Sequence, residues 1–132
     1  MIFSLGGFSR NLRKEITKNR KYYFYDLGIR NILIDNLKPL SERIDQGALW
    51  ENFLIAERIK RNHYLGISAR PYFWRVYTGS EIDYVEDGTD GLHAFELKYR
   101  KAKVRPPKTW VQEYPEASWK AVNMQDWTSF VL

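Results

Sequence analysis

The chain predicts a mixed α/β layer fold (α+β, with a mixed sheet), and three observations carry that expectation. One segment, "ALWENFLIAERIKRN" over 48–62, has the apolar spacing of a helix that buries one face. Three short aromatic and β-branched runs follow in quick succession, separated by "TGS" and "DGTDG". A proline-led helical segment and one more strand pattern close the series. Helices and strands mixed in this order pack as layers around a sheet.

Each element has its own signal. "FSRNLRKEITKNRK" is a basic lead-in, irregular or briefly helical, and "KYYFYDLG" (21–28) is aromatic and strand-prone. "IRNILIDNL" carries helical spacing at Ile29, Ile32, Leu33 and Leu37, and Pro39 and Gly47 break that pattern. In the 48–62 helix, Leu49, Phe53, Ala56 and Ile59 form the stripe, with Leu54 and Ile55 widening it and Gly66 soon after the end. Strands are expected over 70–77 ("RPYFWRVY"), 81–86 ("EIDYVE") and 92–100 ("LHAFELKYR"). "RPPKTWVQEYP" reads as a short helix, and "ASWKAVN" (117–123) as the last strand.

With 132 residues, 44% hydrophobic and 16% aromatic, the chain has material for one core. It has no cysteine, which excludes disulfides and thiolate metal sites and fits a reducing cytoplasm. The start "MIFSLGGFSRNLRK" lacks a signal pattern, and no apolar run nears the roughly 20 residues that span a bilayer. A soluble, cytoplasmic protein with no membrane partner is therefore expected. Neither "GxxxxGK[ST]" nor "GxGxxG" occurs, so ATP binding by those loops is not expected.

The net charge of +5 is uneven. Arg10, Arg13, Lys14, Lys18, Arg20 and Lys21 stand against one acid, Glu15. Lys98, Arg100, Lys101, Lys103, Arg105 and Lys108 form a second block with no acid. Such blocks are solvated basic faces or polyanion sites. For the second reading, Arg75, Arg100, Lys101, Lys103 and Arg105 are the candidate contacts to DNA phosphates.

The second block begins inside an unusual hairpin, "SEIDYVEDGTDGLHAFELKYRK". Residues two apart on a strand share a face, so Glu96 and Lys98 point together, and Asp83 on the neighbouring strand can join them. His93, Phe95, Leu97 and Tyr99 then fill the other, packed face. Two adjacent carboxylates suit Mg²⁺ or Mn²⁺, with the Leu97 carbonyl a further candidate ligand. Lys98 is placed to act on an attacking water or a phosphate. Glu51, in "LWENF", is a fourth candidate that a sheet-packed helix could bring over the patch. Alternatives stand beside each reading: a salt-bridged solvent face for the hairpin acids, a solvent-facing or capping acid for Glu51, and a bystander or substitute ligand for Glu81. His63, His93 and the five tryptophans read as structural.

Helix–Glu51, strand–Asp83 and strand–Glu96-x-Lys98, in that order, resemble the PD-(D/E)xK nuclease superfamily. The resemblance implies a restriction-endonuclease-like core of helix, three strands, helix and strand, with these residues forming a Mg²⁺ site. The residue before Asp83 is Ile82, not the Pro of that motif. "KYYFYDLGIRNIL", "RIDQGALWENFLIAERIKRN", "YFWRVYTGSEIDYVE" and "AFELKYRK" further resemble the domain of unknown function DUF4143, found at the C-terminus of prokaryotic AAA-type ATPases. That resemblance implies a core at 47–132 with an extension at 1–46 packed on it. It also implies a parent P-loop ATPase domain outside this chain, so the chain is expected to be a fragment of a larger protein. The implied function is Mg²⁺-dependent hydrolysis of DNA phosphodiesters. The alternatives are a non-catalytic module docking DNA or protein, and an interface domain that assembles ATPase subunits. DNA, the ATPase domain and a second copy of the chain are the expected partners.

Overall fold

The computed structural model describes residues 2–11, 13–28, 31, 39 and 45–132. The helix expected over 29–37 lies outside them, apart from Asn31. Six strands form one mixed sheet: β1 (Ile2–Gly7), β2 (Arg20–Phe24), β3 (Ala69–Arg75), β4 (Glu81–Gly88), β5 (Gly91–Leu97) and β6 (Ser118–Val122). Three helices are described alongside them: α1 (Gln46–Tyr64), α2 (Lys108–Glu113) and α3 (Thr128–Val131). The order α1–β3–β4–β5–α2–β6 is the order expected from the sequence. The strands lie as β2-β1-β3-β4-β5-β6. The neighbours β1/β3 and β5/β6 run parallel and the rest antiparallel.

Both faces of the sheet are packed. On one, α1 and α3 cover Leu5, Tyr23, Phe73, Tyr84, Leu97 and Val122, with Phe95 and Tyr99 partly buried against them. On the other, Trp110 and Tyr114 cover Phe8, Trp74, Ile82, Val85, Leu92 and Ala94. The face holding Phe95, Leu97 and Tyr99 is packed as expected. Leu92 and Ala94 show that the opposite face of β5 is also closed for most of its length.

α1 is held at three points. Its apolar stripe places Leu54 and Ile55 in the core, fully buried. Asn52 pairs with the backbone of β2, taking the Phe24 N–H at 3.0 Å and giving its amide to the Phe24 carbonyl at 2.7 Å. Gly66, at φ +68°, ends the helix in the left-handed conformation that glycine adopts without strain.

Two features were not expected from the sequence. "IFSLGG" forms β1, inserted between β2 and β3, and "TSFV" forms α3 on the α1 side of the sheet. The irregular residues 8–11 and 13–19 are anchored by Glu15, 1% exposed. The Glu15 carboxylate accepts from Ser9 Oγ, the Arg10 and Asn11 backbone N–H groups, Tyr114 Oη and Trp74 Nε1. Trp74 is thus a core residue with a buried polar partner, not an exposed platform.

Candidate functional site

Strand β4 carries the irregularity that makes the site. Tyr72 pairs with Val85, but Trp74 pairs with Ile82, so two residues of β4, Asp83 and Tyr84, stand opposite Phe73 alone. This is a β-bulge, which re-aims side chains. Strict alternation would send Asp83 to the side of Val85, toward α2. Instead Asp83 meets both Glu51 of α1 and Glu96 of β5.

The β4–β5 ladder ends at Tyr84 and Phe95. One step further, where Asp83 faces Glu96, the Asp83 side chain replaces the ladder: its Oδ2 accepts the Leu97 N–H at 2.8 Å. Asp83 therefore sits in the fork between two separating strands and is 8% exposed. Burial, then the hydrogen bond and charge of Glu96, push its carboxyl up to about 7, against the opposing pull of the Leu97 N–H and Glu51. The Glu51 carboxyl is also raised, by burial and by Asp83, while Lys21 and Tyr23 oppose the shift. Three acids are thus linked in a line, Glu51–Asp83–Glu96, with the most buried in the middle.

Glu51 has two further partners, both on β2. Tyr23 Oη donates to Glu51 Oε2 at 2.6 Å, and Lys21 Nζ lies 3.3 Å from the same oxygen. Sequence reasoning missed both residues. Their only local signal is the i, i+2 spacing of Lys21 and Tyr23 on an expected strand; what pairs them with Glu51 is the docking of α1 onto β2.

Lys98 follows β5. Its backbone N–H donates to the Val122 carbonyl at 2.8 Å, and its side chain is exposed. Arg100, Lys101, Lys103, Arg105 and Lys108 are exposed as well, and none enters an ion pair among the described residues. The first basic block behaves differently: Arg10 pairs with Glu116, Lys14 with Glu113 and Lys21 with Glu51. Arg75 and Glu81 pair with each other at 3.0 Å, which places Glu81 outside the acid line. Exposed pairs of this kind are weak, so the Arg75 charge stays available. His93 lies between Ser118 and Asp90 at the far end of the hairpin, tying its turn to β6.

The donor chemistry fits a hard divalent cation: carboxylate oxygens concentrated in a half-buried patch, where a cation would offset their charge. Among the described residues, no group of three or more His, Cys, Asp or Glu side chains is arranged to hold a metal ion. An ion would be held by the Asp83–Glu96 pair, the Leu97 carbonyl and water, the partial protein shell that Mg²⁺ accepts.

The family model for "Domain of unknown function (DUF4143)" matches residues 46–118. The chain belongs to this family. The matched segment of this DUF4143 chain runs from the start of α1 to the start of β6, so it contains Glu51, Asp83, Glu96 and Lys98 and leaves β1 and β2 outside. No curated protein and no solved structure matches the chain. Among the described residues, no helix is long and apolar enough to cross a membrane.

Proposed function

We propose that this DUF4143 domain is a nuclease-like module that hydrolyses DNA phosphodiesters with Mg²⁺ or Mn²⁺ and works beside an ATPase domain of a parent protein. The observation that carries the reading is Asp83, lodged in the β4–β5 fork between Glu51 and Glu96. Burying an acid next to two others is costly unless protons or a cation relieve it. When bound, the divalent ion supplies charge neutralisation and an acidified water.

The chain's own residues do the rest. Asp83 and Glu96 hold the cation, and the Leu97 N–H fixes the direction of the Asp83 carboxylate. Glu51 closes the acid line from the helix side. Lys98, exposed at the end of β5, meets the incoming phosphate or its attacking water. Arg100, Lys101, Lys103 and Arg105, without an ion pair among the described residues, hold backbone phosphates without reading bases, with Arg75 at the rim.

Two measurements test this. Calorimetric titration with Mg²⁺ or Mn²⁺ should show binding in the wild type and none in Asp83→Asn/Glu96→Gln. Lys98→Ala should abolish cleavage of plasmid and linear DNA while the circular dichroism spectrum stays unchanged. Cleavage by that variant near the wild-type rate would remove Lys98 from the mechanism.

A second reading has one observation in its favour. Tyr64, Leu65 and Leu132 are exposed together around the end of α1, as on a docking face. A module that only docks DNA or protein should keep its affinity in Asp83→Asn, whereas the nuclease loses turnover.

A further inference from the structure

Strand β2 lies outside the segment that defines the family, yet it reaches the acid line. Lys21 and Tyr23 are two apart on β2 and therefore share a face. Both converge on one oxygen, Oε2, of Glu51. Neither is a loose surface group: Tyr23 is 5% exposed and stacks on Phe3, and the Lys21 ammonium lies 5.9 Å from the Tyr23 ring and 5.8 Å from the Phe73 ring. The adjacent Asn52–Phe24 amide pair fixes α1 against β2 one residue along from Glu51. One hydroxyl donor and one ammonium thus meet at a single carboxylate oxygen.

We infer that Lys21 and Tyr23 are positioning residues that pin Glu51 through Oε2, leaving its second oxygen for the Asp83–Glu96 centre. The site is then assembled from two parts of the chain: helix and hairpin from the family segment, and the clamp from the N-terminal strands. The inference rests on the proposed metal centre for its purpose, but its geometry can be tested without it. Lys21 also brings the one cation in contact with the acid line among the described residues. It offsets charge there without occupying the fork itself.

The experiment has two arms on the full chain. In the metal-free protein, NMR of the Glu51 Cγ methylene reports whether the side chain holds one rotamer. Two resolved proton shifts are expected in the wild type. They should merge in Tyr23→Phe and in Lys21→Met, and Lys21→Arg should restore them. In the second arm, Mn²⁺ titration should show Tyr23→Phe weakening affinity by about tenfold, the scale for removing a group that orients a metal-site residue. That effect should vanish in a Glu51→Gln background, because Tyr23 acts through Glu51. If the methylene shifts stay resolved in both variants, the clamp is overturned whatever the metal does. If Mn²⁺ binds but Tyr23→Phe costs the same with and without Glu51, the positioning role is overturned and the metal centre stands. If the wild type binds no Mn²⁺, the proposed function fails, and the methylene arm alone decides the clamp.

Discussion

Asp83 has an environment that disfavours its own charge, and that has a measurable consequence. An aspartate in the unfolded chain ionises near its ordinary value of 3.8, whereas in the fold burial and Glu96 raise Asp83 to about 7. Between those values the unfolded chain releases a proton that the folded chain retains, so rising pH favours unfolding. The contribution of Asp83 is therefore fully present below the unfolded value and is lost as pH rises through the folded one. The raised Glu51 carboxyl acts in the same direction. Urea unfolding of the metal-free protein should show a stability loss of about 2–3 kcal/mol from about pH 5 to about pH 7. Asp83→Asn should flatten that slope, and a stability that rises across the interval in the wild type would contradict the assigned environment. A cation that binds the folded state alone should restore stability above pH 7, by an amount that rises with the logarithm of its concentration once that exceeds the dissociation constant.

At the scale of elements, the joint between α1, β4 and α3 is a buried charge network. Arg58 makes a two-toothed contact with Glu86 at 2.7 and 2.8 Å and donates to the Phe130 carbonyl at 2.7 Å. Asn62 and Tyr84 Oη complete the Glu86 shell. Burial alone would raise the Glu86 carboxyl, but Arg58, Tyr84 and Asn62 together bring it below its ordinary value. Removing Arg58 leaves that carboxylate buried without its cation, so Arg58→Ala should cost about 3–5 kcal/mol in chemical denaturation. The paired change Arg58→Met/Glu86→Leu should recover most of the loss, which a simple packing defect would not.

These elements also show what the sequence could reveal. α1 and β3 to β6 were legible because each carries its own periodicity, and "TGS" and "DGTDG" punctuate them. β1 was hidden by its two glycines. A Cβ on Gly7 would stand 2.3 Å from the Ile16 carbonyl oxygen, so the residue that weakens the strand signal is required by the close backbone approach. Glu51, Asp83, Glu96 and Lys98 could be singled out from order and spacing. The bulge that turns Asp83 toward α1 could not, because register depends on the partner strand. The Lys21 and Tyr23 contacts depend in the same way on how β2 meets α1.

Across the whole molecule, the surplus of positive charge is divided by use. Half of the first basic block, Arg10, Lys14 and Lys21, pairs with acids of the chain: Glu116 just after α2, Glu113 at its end and Glu51 of α1. The cations of the second block, from Lys98 to Lys108, are exposed and follow the fork directly in the chain. A polyanion following that track meets the acid line at one end, where Lys98 separates the cations from the carboxylates. Its phosphates would release counterions, so affinity for duplex DNA should fall steeply with salt. Replacing Arg100, Lys101, Lys103 and Arg105 by serine should reduce the slope of log affinity against log salt by about 3–4, since each phosphate that is no longer neutralised lowers it by about 0.9. The same replacements at Arg10 and Lys14 should change the slope less, because those charges already face Glu116 and Glu113, and stability should change little, since exposed pairs are weak. Fluorescence anisotropy with a labelled duplex at several salt concentrations measures both. Equal slopes for the two sets would mean that DNA does not follow the track from Arg100 to Arg105, and the phosphate-binding residues would have to be sought on another face.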